Sequence, residues 1–113
     1  MVAASEKLKN DARLQEITQR IAAAFDPYRI VLFGSRARGD ARADSDYDIF
    51  VEMESDKRPI ERMRDVSRLF GLRDWSMDVI VHTPEEVKRL NTLKGNVMYD
   101  IVREGVVLYE QSN

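Results

Sequence analysis

Two carboxylates, Asp46 and Asp48, flank a single residue at the start of a strand-like run over residues 46–53. Alternate side chains of a strand project from the same face, so both carboxylates point the same way. Aspartate is depleted in strands, and two carboxylates this close repel each other unless a proton or a cation lies between them. Oxygen ligands of this kind suit Mg²⁺, which commonly uses one or two carboxylates together with substrate phosphates.

A third carboxylate, Asp78, is the second residue of another strand-like run over residues 77–81. In both runs the acidic end is followed on the same face by an apolar residue, Phe50 in the first and Ile80 in the second. If the two strands are neighbours, three carboxylates converge at one end of the sheet. Such a set is the minimum needed for a centre of two metal ions, which lie about 3.5–4 Å apart in known sites.

A phosphate-binding turn is predicted at Gly34 and Ser35, between a predicted buried strand over residues 29–33 and a predicted helical turn. Glycine lets the backbone come close to a ligand, and free N–H groups at a helix start favour phosphate. The hydroxyl of Ser35 adds a further donor. A triphosphate held there would bring its α-phosphorus to the acidic residues.

Each of these features alone has a more ordinary explanation. A Gly-Ser pair is usually a turn at a strand end, and a lone aspartate is usually a loop or strand-end residue. The combination of Gly-Ser, ten intervening residues and Asp-x-Asp is expected by chance in roughly one chain of this length in a thousand, taking each residue type at about 5–7%. The combination therefore favours nucleotide chemistry over coincidence.

Other polar residues invite a functional interpretation with less support. Arg36, Arg38 and Arg42 lie inside the motif and could neutralise a triphosphate, or could form a solvated basic loop. We expect the phosphate contact first of Arg36. His82, the only histidine, is predicted to be a turn residue, and the basic residues of the second predicted helix, Arg62 among them, are predicted to form a solvated face.

The order of helical and strand-like patterns predicts the architecture. We expect helices over residues 5–25, 59–70 and, after a capping box at Thr83, from 84 to about 104; strands are expected over residues 29–33, 46–53, 77–81 and 106–109, the last at an edge. This alternation predicts an α/β (α+β) two-layer domain, with helices covering a small mixed sheet. At 113 residues, we expect residues 1–113 to form a single domain.

Composition argues against several classes of protein. There is no cysteine, which excludes disulfides and cysteine-based metal sites. The net charge of −2, from 18 basic and 20 acidic residues, lacks the basic field of a protein that grips nucleic acid unaided. No apolar run approaches the length of a membrane span and the N-terminus lacks a signal-peptide core, so we expect a cytoplasmic location and no membrane partner.

The string LFGSRARGDARADSDYDIFV resembles the minimal nucleotidyltransferase family of bacteria and archaea, a branch of the polymerase-β-like nucleotidyltransferase superfamily. The resemblance spans most of the chain, and no motif position departs from it. It implies a polymerase-β-like core in which Asp46, Asp48 and Asp78 hold two Mg²⁺ ions and Asp78 helps to activate the attacking hydroxyl. Gly34 and Ser35 would hold the phosphates of the nucleoside triphosphate, with ATP as the family default.

The resemblance also implies an acceptor. Minimal nucleotidyltransferases are often paired with a HEPN-type toxin, and act as its antitoxin by attaching AMP to a tyrosine of the toxin. We therefore predict a protein adenylyltransferase of a toxin–antitoxin system. Two alternatives stay open: a binding antitoxin that neutralises its partner by contact alone, and a nucleotidyltransferase that acts on a small-molecule hydroxyl. The intact aspartates favour an enzyme, and the lack of room for an acceptor-selecting domain favours a protein acceptor.

Overall fold

The computed structural model describes residues 1–112. The strands of this part of the chain are β1 (Val2–Ala3), β2 (Arg29–Phe33), β3 (Tyr47–Glu52), β4 (Met77–His82) and β5 (Val106–Glu110). Its helices are α1 (Glu6–Lys9), α2 (Ala12–Phe25), α3 (Gly34–Arg38), α4 (Pro59–Ser67), α5 (Pro84–Leu90) and α6 (Val97–Glu104). The strands form one mixed sheet in the order β1-β5-β2-β3-β4, so the predicted fold class is confirmed. None of the helices described is long and apolar enough to cross a membrane.

Helices pack on both faces of the sheet, whereas the two-layer prediction placed them on one. On the first face α2 and α4 join the main core, and their buried residues there are Leu14, Ile17, Ile21 and Val66. On the second face Met98 and Ile101 of α6 pack against Val31 of β2 and Phe50 of β3. The second layer exists because the central strands carry apolar side chains on both faces, which water would otherwise reach.

The predicted helix over residues 5–25 is divided into α1 and α2. The break lies at Asp11, whose side chain accepts a hydrogen bond from the Leu14 amide at 3.0 Å and so caps a new helix. Such a cap offers the backbone an alternative to continuing α1. The predicted helix end at residue 25 is confirmed, and Asp26, the residue before Pro27, lies in the left-handed region at φ 46°.

Three predictions about position in the fold are wrong. Strand β5 is not at the edge, because β1 pairs with it in parallel through Val2 and Val106, and β2 lies on its other side. Arg62 does not lie on a solvated face of α4. It is only 5% exposed and forms an ion pair with Glu86 of α5, with an N···O distance of 2.7 Å. His82 is the last residue of β4 instead of a turn residue.

The pairing of the central strands brings the acidic residues together. Strands β3 and β4 are parallel, with Asp48 opposite Asp78 and Phe50 opposite Ile80. On the other side of β3, the antiparallel β2 places Phe33 opposite Asp48, so the turn that follows β2 begins beside this carboxylate. The condition for the convergence of the three carboxylates, that the two acid-bearing strands are neighbours, is therefore met.

Candidate active site

Three carboxylates meet at the N-terminal ends of β3 and β4. Asp46 lies in the loop directly before β3, Asp48 is the second residue of β3, and Asp78 is the second residue of β4. One carboxylate oxygen from each lies within 4.8 Å of those of the other two. Further along the same face the strands continue with the apolar pair Phe50 and Ile80, so the carboxylates form the polar end of a covered apolar surface.

The electrostatic environment of Asp48 marks the cluster as deficient in positive charge. Burial raises the pKa of the Asp48 carboxyl, and the nearby charges of Asp78 and Asp46 raise it further; Arg38 and Arg36 only partly offset this. Carboxylates that repel one another in this way are stabilised by a cation placed between them. The hard oxygen donors and their close spacing fit Mg²⁺, so these three residues could hold divalent ions.

Gly34 joins the predicted phosphate-binding turn to the acidic cluster. It is the first residue of α3 and has φ +73°, a conformation that favours glycine. A β-carbon at this position would overlap the carboxylate of Asp48. Glycine is thus required by the backbone and by the close approach to Asp48. Ser35 follows as a half-buried residue, and Phe33 before the helix offers no side-chain cap to its first N–H groups.

Comparison with known proteins agrees with this geometry. The family described as "Polymerase beta, Nucleotidyltransferase" matches residues 15–113. The chain belongs to this nucleotidyltransferase family. The predicted resemblance is confirmed at this level, and the chain is a nucleotidyltransferase by family.

Two relatives of this nucleotidyltransferase agree with the assignment. The protein adenylyltransferase MntA of Aphanizomenon flos-aquae (strain 2012/KM1/D3) is 27% identical over 110 residues, which cover 94% of this chain and 73% of MntA. A crystal structure from Sulfolobus solfataricus, of a protein assigned as a nucleotidyltransferase, is 26% identical with a TM-score of 0.62; the match covers 98% of this chain and 93% of that one. The polymerase-β-like fold is therefore confirmed.

Arg36 of the nucleotidyltransferase lies one residue after Ser35, but its guanidinium forms hydrogen bonds to backbone carbonyl oxygens of the loop before β3. Its Nε and Nη2 donate to the carbonyl oxygen of Ser45 at 3.2 and 2.7 Å, and Nη2 also donates to that of Ala43 at 3.2 Å. The guanidinium carbon lies 4.0 Å from the ring centroid of Tyr47. A contact of Arg36 with phosphate stays a prediction, whereas its contacts with the loop and with Tyr47 are seen in the structure.

Two open cavities adjoin the acidic cluster, and neither was predicted from the sequence. One, of 460 Å³, is lined by Asp46, Asp78 and residues of the segments 71–73 and 75–77. The other, of 500 Å³, shares Trp75 with it and extends to Arg13 at the start of α2. Arg13 lies 4.9 Å from the Trp75 ring centroid, a contact between residues far apart in sequence that no local pattern predicts.

Proposed function

We propose that this nucleotidyltransferase transfers AMP from ATP to a hydroxyl of a partner protein, at a two-magnesium site formed by Asp46, Asp48 and Asp78. The observation that carries the proposal is the convergence of these carboxylates within 4.8 Å, directly beside Gly34. A protein acceptor and adenylyl transfer are supported by the MntA relative, which is described as a protein adenylyltransferase.

The residues divide the chemistry between them. Gly34 and Ser35 would bind the β- and γ-phosphates and hold the departing pyrophosphate. Bound magnesium would supply charge neutralisation at the α-phosphate and the leaving oxygen. Asp78 would orient the acceptor hydroxyl and take its proton as the hydroxyl oxygen bonds to the α-phosphorus and the bond to pyrophosphate breaks. Positioning and electrostatics then supply the rate enhancement, without a covalent enzyme intermediate.

The direction of attack indicates where the acceptor binds. In-line displacement requires the attacking and leaving oxygens on opposite sides of the phosphorus. With pyrophosphate at Gly34 and Ser35, the acceptor arrives on the side of the 460 Å³ cavity, on whose wall Asp46 and Asp78 lie. Leu72, also on this wall, is fully exposed. We therefore propose this cavity as the place where a segment of the partner protein enters, with Leu72 as a contact residue.

For the biological role we propose an antitoxin that adenylylates a tyrosine of a HEPN-type toxin. The minimal-family motif and the MntA relative support this role. We place the reaction in the cytoplasm, where ATP and magnesium are supplied. A contact-only antitoxin would not need three converging carboxylates, and the MntA relative, which is described as a protein adenylyltransferase, supports a protein acceptor over a small molecule.

A transfer assay tests this proposal. The protein is incubated with ATP labelled in the α-phosphate, Mg²⁺ and the product of the neighbouring gene, which we expect to be a HEPN-type protein. We expect label on a tyrosine of the partner, and a loss of at least about 100-fold for the Asp46→Asn/Asp48→Asn double variant.

The same double variant separates the alternatives. If it neutralises the toxin as well as the wild type does, without transferring label, the contact-only antitoxin is correct. Label found on an added small-molecule hydroxyl and never on protein would favour a nucleotidyltransferase that acts on small molecules.

A further inference from the structure

The guanidinium of Arg36 contacts both neighbours of Asp46. On one side it donates to the backbone carbonyl oxygen of Ser45 through Nε and Nη2. On the other it lies over the ring of Tyr47, with 4.0 Å between the guanidinium carbon and the ring centroid. Arg36 also reaches the carbonyl oxygen of Ala43. One side chain thus contacts the residues directly before and directly after Asp46.

On the side of β3, the contact of Arg36 is with a residue that is itself held in place, Tyr47. Tyr47 is buried, and its hydroxyl donates to Asp11 Oδ2 at 3.4 Å, while Asp11 Oδ1 caps α2. Tyr47 therefore connects the strand to a helix that is itself well packed. Arg36 stands between this anchored ring and the loop, and it belongs to the helix that begins at Gly34.

The loop before Asp46 has little else to hold it. Ser45 forms a local turn with Arg42, in which the Ser45 amide donates to the Arg42 carbonyl oxygen at 3.1 Å and Ser45 Oγ accepts from the Arg42 amide at 2.8 Å. These bonds order the turn internally, but they do not attach it to the sheet. Ala43, Asp44 and Asp46 are exposed, so the described attachment of this turn depends on Arg36.

We propose that Arg36 is a positioning residue, which sets the place of the Asp46 carboxylate by holding Ser45 and Tyr47 on either side of it. The inference rests on the proposed function in taking Asp46 as a ligand of the divalent ions. Three of the five N–H donors of the guanidinium are committed to the loop carbonyls. A planar group with fixed donors is needed for this arrangement, and lysine cannot reproduce it.

The affinity for a divalent ion distinguishes this role from a simple charge effect, because the two predict changes of affinity in opposite directions when Arg36 is replaced. Arg36 and Arg38 both act electrostatically on Asp48. Removing either positive charge beside three carboxylates should, by electrostatics alone, tighten the binding of a divalent cation. Loss of a positioning contact should instead weaken that binding, because Asp46 is no longer held at the site. Arg38 is the matched control, since its side chain is exposed and reaches Asp40 at 3.5 Å.

The experiment is a Mn²⁺ titration of the nucleotide-free protein, followed by electron paramagnetic resonance. Arg36→Met and Arg36→Lys are each expected to raise the Kd for Mn²⁺ by about 10- to 100-fold, as is typical when a partner of a metal ligand is lost. Arg38→Met is expected to leave the Kd unchanged or lower it. Asp48→Asn reports whether Mn²⁺ binds at the acidic cluster.

Hydrogen exchange of the metal-free proteins gives a second measurement that does not depend on the ion. We expect the amide of Ser45 to exchange faster in both Arg36 variants than in the wild type and in Arg38→Met. The amide of Ile49, in the middle of β3, should exchange at the same rate in all of them, which verifies that each variant is folded.

The outcomes keep the inference apart from the proposed function. Wild-type affinity in Arg36→Lys with tighter binding in Arg36→Met would overturn positioning, and would leave Arg36 as a charge near the phosphates. Unchanged exchange at Ser45 in both variants would overturn it as well. If Asp48→Asn does not weaken Mn²⁺ binding, the proposed metal site is wrong. The exchange data would still show whether Arg36 attaches the loop to β3.

Discussion

At the scale of single residues, position 34 requires glycine for two physical reasons, which experiments can separate. Its φ of +73° lies in the left-handed region, and its missing side chain leaves room for the Asp48 carboxylate. Gly39, at the end of α3, has φ +86° but nothing within 4 Å of where a β-carbon would stand. The two glycines therefore share the left-handed backbone conformation and differ in the contact with Asp48.

We predict that Gly34→Ala and Gly39→Ala lose similar stability but differ at the metal site. Each forces an alanine into the left-handed region, at a cost of about 1–2 kcal/mol, measurable by urea unfolding. Only Gly34→Ala displaces the Asp48 carboxylate, so only this variant should bind Mn²⁺ more weakly. Equal Mn²⁺ affinity in the two variants would mean that the approach of Gly34 to Asp48 is irrelevant to the site.

At the scale of helices and strands, a partly buried ion pair joins α4, β4 and α5. Arg62 of α4 donates to Glu86 of α5 at 2.7 Å and reaches the carbonyl oxygens of Ser55 and Val81. Glu86 also accepts from the Thr83 amide at 2.8 Å, which completes the predicted capping box. Burial pushes the pKa of Glu86 upward, but the bonds from Thr83 and Arg62 outweigh it and lower that pKa to about 2.

We predict that Glu86→Gln destabilises the protein by about 3 kcal/mol at neutral pH, because a buried arginine is left without its counter-charge. Since the folded pKa lies below the unfolded value, the stability due to this carboxylate is present above the unfolded pKa of 4.5 and is lost as pH falls towards 2. Urea unfolding at several pH values should show the wild type and the variant converging in that window.

Glu61 provides the matched control at the start of α4. It accepts from the Arg58 amide at 3.1 Å, as Glu86 does from Thr83, but its ion pair with Arg58 is exposed. Glu61→Gln should therefore cost much less than Glu86→Gln. An equal loss in the two variants would show that capping, and not the buried arginine, sets the effect.

At the scale of the whole molecule, the fold gathers negative charge from two strands and a loop at one end of the sheet. The pKa of Asp48 is raised by burial and by its acidic neighbours, so its ionised form destabilises the metal-free fold. The sign follows from linkage: this penalty is absent at low pH and develops as pH rises through the unfolded and then the folded pKa of Asp48. Binding of a divalent ion to the folded state should remove it.

We predict that Asp48→Asn raises the thermal midpoint of the metal-free protein at pH 7–8 and has less effect near pH 4. Mg²⁺ at about ten times its Kd should stabilise the wild type by about 1.4 kcal/mol, and Asp48→Asn by much less. Thermal unfolding with and without Mg²⁺ measures both effects. Asp44→Asn, an exposed change in the same loop, should respond to Mg²⁺ as the wild type does; a Mg²⁺ response retained in Asp48→Asn would contradict the site.

Local chemistry in the sequence was sufficient to predict much of the secondary structure and the approach of Asp46 to Asp48. The period of two in a strand places Asp46 and Asp48 on one face, and the cap at Thr83 and the stop before Pro27 each depend on neighbouring residues alone. The Gly-Ser turn after a buried strand is equally local. These predictions succeeded because their physical causes act over a few residues. The acceptor and the residue roles stay predictions, which the experiments above address.

Only the tertiary structure decided which distant residues meet. Asp78 faces Asp48 because β4 pairs in parallel with β3, and Arg62 is buried because α5 brings Glu86 to it. Arg36 looks like a phosphate ligand in the sequence, yet in the fold its donors are engaged by the loop before Asp46. The sequence by itself determined which groups are available for nucleotidyl transfer. Their convergence depends on strand pairing and helix packing between distant segments, which no local pattern encodes.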